Sequence, residues 1–216
     1  MQNNDFVVHE IMKGECYRFL AACFYLPKKE TLGAGRLLAN LTENLREICP
    51  AAAQFSQTME KSFDTYTEEE LTVEYARLFV GPFGLKAPPY GSIYLDNERT
   101  VMGPSTMEAI RFYEEEGLAR DESFDELPDH IVVELEFMYF LVFKETEALQ
   151  KGASEQAEVY RRKQESFRSR FLDKWVPSLC GNMKEGADNN FYLALADCLH
   201  TFISRESTAP EASGQS

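Results

Sequence analysis

A chain of 216 residues with 36 acidic and 22 basic side chains carries a formal net charge of -14, which repels phosphate backbones and anionic lipid and favours basic partners. Its 44% hydrophobic and 12% aromatic residues are material for one folded domain with a sizeable core, not for a disordered chain. Five cysteines without a Cys-x-x-Cys pair predict neither a disulfide framework nor a zinc site, and the longest uncharged apolar run, 19–27, is too short to span a membrane.

The elements read as helix after helix. From Asp5 to about Leu26, apolar residues recur at intervals of three and four (Val8, Ile11, Met12, Cys16, Phe19, Leu20, Cys23, Phe24) until Pro27 stops the pattern. The start MQNNDFVVHEIMKGE lacks the basic-then-apolar order of an export signal. A second helix is predicted over 30–48 and a shorter one over 51–63, separated by Cys49-Pro50. Next, Thr67 and Glu70 form a capping box ahead of Leu71, Tyr75, Leu78 and Phe79. Residues 80–105 are too rich in Gly and Pro to continue as helix, and a loop of that length in a compact domain is usually functional or disordered. Its aromatics Phe83, Tyr90 and Tyr94 favour order.

Ser105 and Glu108 predict a second capping box, and Gly117 a C-cap. The stretch FDELPDHIVVELEFMYFLVFKE then opens the longest apolar helix, 128–151, with Asp125 at or before the N-cap, Pro128 in the first turn and Asp129 at the positive end of the helix dipole. Within it, Glu134 and Glu136 are expected to be exposed or paired with arginine. Helices over 154–174 and 188–204, with a short one near 175–184, complete the pattern. The result is an all-α, single-domain bundle of roughly eight to ten helices over 1–204, with a long Pro/Gly-rich loop and a disordered C-terminal tail, 205–216.

Searches for catalytic patterns find no Walker-type phosphate loop, no GxGxxG after a strand, no HExxH and no GxSxG. His130 and Glu134 stand four apart on one helix face, yet two ligands make a poor metal site, so neither a metal nor a cofactor is expected. Residues 108–126 hold eight carboxylates against Arg111 and Arg120, which reads as a solvated strip or as an attractor for a basic peptide.

Three segments, in order, resemble the TorD/DmsD/NarJ family of maturation chaperones for molybdenum-containing reductases: YARLF (Tyr75 to Phe79), APPYGSIY (Ala87 to Tyr94) and DELPDH (Asp125 to His130). Ser123 stands where the family often has glutamate, and Tyr90 and Tyr94 stand where some members carry tryptophan. The resemblance implies a cytoplasmic chaperone that binds the twin-arginine signal peptide and apo-form of an oxidoreductase of the DMSO reductase family. It implies a peptide-binding set of Tyr75, Leu78, Phe79, Pro89, Tyr90, Tyr94, Asp125, Pro128, Asp129 and His130.

On that reading the first three residues form a cleft wall, the loop residues a face, and Asp129 and His130 a polar end. No catalysis and no stable membrane insertion are expected, and the chain is a monomer or a domain-swapped homodimer. An acidic, aromatic-lined surface suits a segment that is basic and then apolar. The competing readings are an α-helical, metal-independent hydrolase or lyase using Asp129 and His130, and an adaptor for a folded reductase subunit.

Overall fold

The computed structural model describes residues 2–34, 36–81, 84–96, 101–118 and 126–208. The chain-order helices are α1 Gln2–Ala22, α2 Lys29–Ala34, α3 Leu37–Ile48, α4 Pro50–Thr65, α5 Glu68–Tyr75, α6 Ser92–Leu95, α7 Pro104–Glu115, α8 Ile131–Gln150, α9 Ser154–Arg170, α10 Leu172–Gly186 and α11 Asn190–Thr208. A π-helical turn, Ala76–Val80, continues α5. Among the described residues there is no strand, only an isolated antiparallel bridge between Tyr90 and His130. The all-α single-domain bundle is as expected.

α8 packs between α1 and α9, while α11 packs on α4 and α10, and α3 joins α1 to α4. At Gly14 the two helices α1 and α8 pack closely: a Cβ there would stand 3.0 Å from Val142 Cγ1, tight enough that the valine side chain would have to shift. Leu135, Met138, Leu141 and Val142 of α8 meet Tyr17 and Leu20 of α1 and Phe167 of α9 in one buried core. Each large apolar side chain buried there contributes about 1.5–3 kcal/mol. All five cysteines are buried and free.

Several boundaries differ from the sequence expectation. The 30–48 helix is two helices, broken where Arg36 adopts left-handed geometry (φ 49°). The 154–174 helix ends at Arg170 because Phe171 leaves helical geometry (φ -117°, ψ -81°). Phe171 and Trp175 are both buried, so the kink turns two aromatics inward without disturbing the apolar rhythm that a sequence reading follows. The short 175–184 helix is the full-length α10, with Pro177 inside it. α11 runs to Thr208, past the expected end of the helical domain at 204.

The capping box of Thr67 and Glu70 forms, with Thr67 N–H donating to Glu70 Oε2 at 2.8 Å and Glu70 N–H to Thr67 Oγ1 at 3.2 Å. The box of Ser105 and Glu108 does not. Asp96, from the preceding loop, takes its place: its carboxylate accepts from Ser105 N–H at 3.3 Å and from Ser105 Oγ at 2.8 Å. Gly117 does occupy the positive-φ C-terminal position (φ 71°).

Candidate functional site: a clasped loop beside a tyrosine-carboxylate patch

The start of α8 lies later than its sequence suggests. His130, not Asp125 or Pro128, is the N-cap: its Nδ1 accepts from Val132 N–H at 3.2 Å, and Pro128 stands in the turn before the helix. That turn grips the proline-rich loop. Gly91 N–H donates to Asp129 O at 2.8 Å, Ile131 N–H donates to Pro89 O at 2.9 Å, and Ser92 N–H donates to Asp129 Oδ2 at 2.9 Å. The Tyr113 hydroxyl donates to Pro128 O at 2.8 Å, fastening α7 to the same turn. Sequence-distant elements are thus joined at Pro89–Ser92 and Pro128–Ile131.

Beneath this clasp, Glu134 is fully buried and accepts from Trp175 Nε1 at 2.8 Å. Burial pushes its carboxyl well above the usual carboxylate range, the indole hydrogen bond opposes that shift and the nearby Asp129 adds to it. Against the expectation of exposure or pairing with arginine, Glu134 is buried and neither it nor Glu136 pairs with an arginine among the described residues; Glu136 accepts from the Tyr25 hydroxyl at 2.9 Å. Half-buried, Glu136 is also raised by desolvation, with Tyr25 pulling it down.

The predicted site residues divide. Tyr75 lies at the edge of the core, its hydroxyl donating to Phe24 O at 3.3 Å, whereas Leu78 and Phe79 are buried. Phe79 packs against Phe24 and Tyr192, so these two residues back the surface and do not form its face. Their inward position follows from the π turn, closed by Gly81 N–H to Ala76 O at 2.9 Å, which re-aims the side chains after Tyr75. Pro89 and Asp129 are buried in the clasp. Tyr94 belongs to a different place, stacked on Trp175 at 5.5 Å and lining a hollow of about 620 Å³ with Lys86, Pro88 and Asn182. Asp125, with Ser123 and Phe83, lies outside the described residues.

Tyr90 stays on the surface side, edge-on to the His130 ring at 5.2 Å. The carboxylate of Glu126 stands 3.6 Å from His130 Nε2. Burial first, and then the Glu126 charge, raises the phenols of Tyr75, to about 12, and of Tyr90; for Tyr25 the raising causes are burial, the Glu136 hydrogen bond and charge, and then Glu126. The Glu126 charge thus acts on all three phenols, which puts Tyr25, Tyr75 and Tyr90 within electrostatic range of one carboxylate. Sequence reasoning missed Tyr25 and the pairing roles of Glu126 and Glu136. Tyr25 lies inside the helix expected to about Leu26 but off its apolar stripe, whereas α1 ends at Ala22 and leaves Tyr25 in the turn before Pro27.

His130 is buried, and desolvation pushes its ring down to about 4, so it is neutral at physiological pH. With Nδ1 accepting from Val132, the ring serves as a cap and not as a free general base. No group of three His, Cys, Asp or Glu among the described residues could hold a metal. No described helix is long and apolar enough to cross a membrane.

Comparison with known proteins agrees with this architecture. The family model described as nitrate reductase delta subunit matches residues 38–181. The Tat proofreading chaperone DmsD of Salmonella typhi is 31% identical over 130 residues, which is 60% of this chain and 60% of that protein. The chain therefore matches about 60% of the length of the DmsD relatives. A perchlorate reductase assembly chaperone protein of Dechloromonas aromatica is 27% identical over 212 residues, covering 93% of this chain and 92% of its own length. A chaperone protein TorD of Photobacterium profundum is 28% identical, covering 75% and 73%. A crystal structure from Archaeoglobus fulgidus, of a protein named for redox enzyme maturation, superposes with a TM-score of 0.55 at 21% identity, covering 90% of this chain and 93% of its own, a likeness of fold.

Proposed function

We propose that this chain, which belongs to the nitrate reductase delta subunit (NarJ/TorD) family, is a cytoplasmic maturation chaperone for a molybdenum-containing oxidoreductase of the DMSO reductase family. It binds the client's twin-arginine signal segment and apo-form and holds them back until the cofactor is in place. The relatives' names support the chaperone class: one assembles perchlorate reductase and others proofread Tat substrates.

The observation that carries the peptide reading is that Glu126 stands 3.6 Å from His130 Nε2, Tyr90 lies edge-on to that ring at 5.2 Å, and Glu136 accepts from the Tyr25 hydroxyl at 2.9 Å, with the Glu126 charge in range of Tyr25, Tyr75 and Tyr90. Carboxylates accept the forked donors of arginine, and phenol faces take cationic and apolar groups together. Exposed Leu26 and Val80, 50% and 62% accessible, offer apolar contact for the segment that follows the arginines. Leu78 and Phe79 support the patch from behind. Pro89, Pro128, Asp129 and His130 hold the loop that presents Tyr90, and Tyr94 extends the loop to the neighbouring hollow.

The reading is tested by titrating a labelled Arg-Arg leader peptide into the full chain. Saturable binding that weakens with salt, and weakens about tenfold or more in Glu126→Gln/Glu136→Gln, is the expected result. Binding that is absent, or indifferent to both carboxylates, rejects it.

A further inference from the structure

A second surface, remote in character from the acidic patch, lies between α7 and α9. On α7 the residues facing it are Met107, Arg111 and Phe112, spaced i, i+4, i+5; on α9 they are Val159, Arg162 and Arg170, spaced i, i+3, i+11. Each set is one face of its helix, so the two form ridges on either side of a groove of about 760 Å³. Ion pairs from Lys163 to Glu116 and from Arg170 to Glu108 tie the two ridges to each other. The floor is rigid, because the Phe112 ring is wedged edge-on between Phe167 at 5.4 Å and Phe171 at 5.8 Å.

The lining of this groove is more basic than the chain as a whole. Four cations (Arg111, Arg162, Lys163, Arg170) line it against two carboxylates, Glu108 and Glu115, on a protein of net charge -14; Arg162, Lys163 and Arg170 are ion-paired with Glu158, Glu116 and Glu108. Arg111 is exposed and has no ion-pair or hydrogen-bond partner among the described residues. Between the cations, Met107 and Val159 are 49% and 43% accessible, so the floor is apolar and open. Nucleic acid is disfavoured as the occupant by the overall charge and by the two carboxylates in the lining.

We propose that the α7–α9 groove docks an acidic amphipathic helix of a partner protein. Its apolar side chains would seat on Met107, Phe112 and Val159, and its carboxylates would face Arg111, Arg162 and Arg170. A third helix laid along two ridges is the ordinary helix-in-groove geometry, and the cationic rim selects the sign of the partner. The inference is independent of leader binding, which uses carboxylates on a different set of elements.

The test uses the full chain and a fluorescein-labelled helical peptide with Leu and Met on one face and Glu on its flanks, with a Lys-for-Glu version as control. Fluorescence anisotropy is expected to show saturable binding of the acidic peptide alone. That affinity should fall about tenfold in Arg111→Glu/Arg162→Glu and also fall in Val159→Ser, while the Arg-Arg leader peptide binds these variants as it binds the parent. Arg111→Gln, which alters only an exposed side chain without a partner among the described residues, makes the same point should the double variant not fold. No binding of the acidic peptide, equal binding of the basic one, or affinity unchanged in every variant overturns the proposal. So does a concentration-dependent dimer, seen by sedimentation in the parent and lost in Val159→Ser, since a second copy would then be the occupant.

Discussion

The indole of Trp175 and the carboxyl of Glu134 meet at 2.8 Å inside the bundle, joining α10 to α8 directly beneath the clasped loop. Gly91 completes the contact, for a Cβ there would stand 3.2 Å from both Glu134 Oε1 and Trp175 Nε1. Because Glu134 is fully buried and its carboxyl is raised well above the usual range, the folded protein holds a proton there that the unfolded chain releases. Its contribution to stability is therefore present below the unfolded carboxylate pKa and declines as pH rises above it. Glu134→Gln keeps the shape and the acceptor without the proton. Urea midpoints measured from about pH 5 to about pH 8 should decline less in that variant than in the parent. Glu134→Ala, which strands the indole donor, should cost about 1–3 kcal/mol.

His130 gives the opposite sign. Burial holds its folded pKa near 4 against an ordinary 6.5, so the unfolded state takes up a proton first and stability is lost as pH falls from 6.5 toward 4. Complete protonation would forfeit about 3 kcal/mol. His130→Asn retains an N-cap acceptor for Val132 N–H without a titrating ring, and acid titration of its denaturation midpoint should be flatter over that window. A neutral, capping ring also predicts that His130 imposes no step of its own on leader affinity between about pH 5 and pH 8. A step there that His130→Asn abolishes would show that the ring titrates in contact with the peptide.

How much of this was legible in the sequence depends on which physical signal each feature leaves. The all-α class and the Thr67 box come from local periodicity and capping chemistry, which a linear reading captures. The break at Phe171 leaves no such trace, since the apolar rhythm runs on through Phe171 and Trp175; the break at Arg36 follows Gly33 and Gly35, a helix-weakening pair that the apolar pattern over 30–48 masks. At the site, the Pro-Pro-Tyr and Pro-Asp-His segments could be singled out, but not that the Asp129 and Pro89 carbonyls bind each other's segment through backbone amides. Tyr25, Glu126 and Glu136 come together through tertiary packing between the end of α1, the turn before α8 and α8 itself, with no local pattern to announce them.

Leu78 separates support from contact. With the side chain fully buried, Leu78→Ala should cost about 2–5 kcal/mol in a denaturant titration and lower leader affinity only as the fold weakens. Well below the unfolding transition the affinity should match the parent. A loss of binding without a loss of stability would place Leu78 at the peptide surface.

Tyr25 tunes the carboxylate that the leader is expected to meet. Its hydroxyl donates to Glu136 Oε1 at 2.9 Å, and this bond is what opposes the upward push of burial on that carboxyl. Removing the donor in Tyr25→Phe leaves burial unopposed, so the Glu136 pKa rises and its charge is lost at a higher pH than in the parent. Leader affinity should then match the parent at about pH 8, where the carboxylate is ionised in both, and fall further on acidification. A hydrogen bond of about 1 kcal/mol corresponds to a widening of roughly fivefold in the ratio of affinities between about pH 8 and about pH 5. Isothermal titration of the two proteins at both pH values supplies that ratio. An equal ratio for parent and variant would mean that Glu136 does not face the bound arginines, and the basic end of the leader would have to be assigned to Glu126 alone.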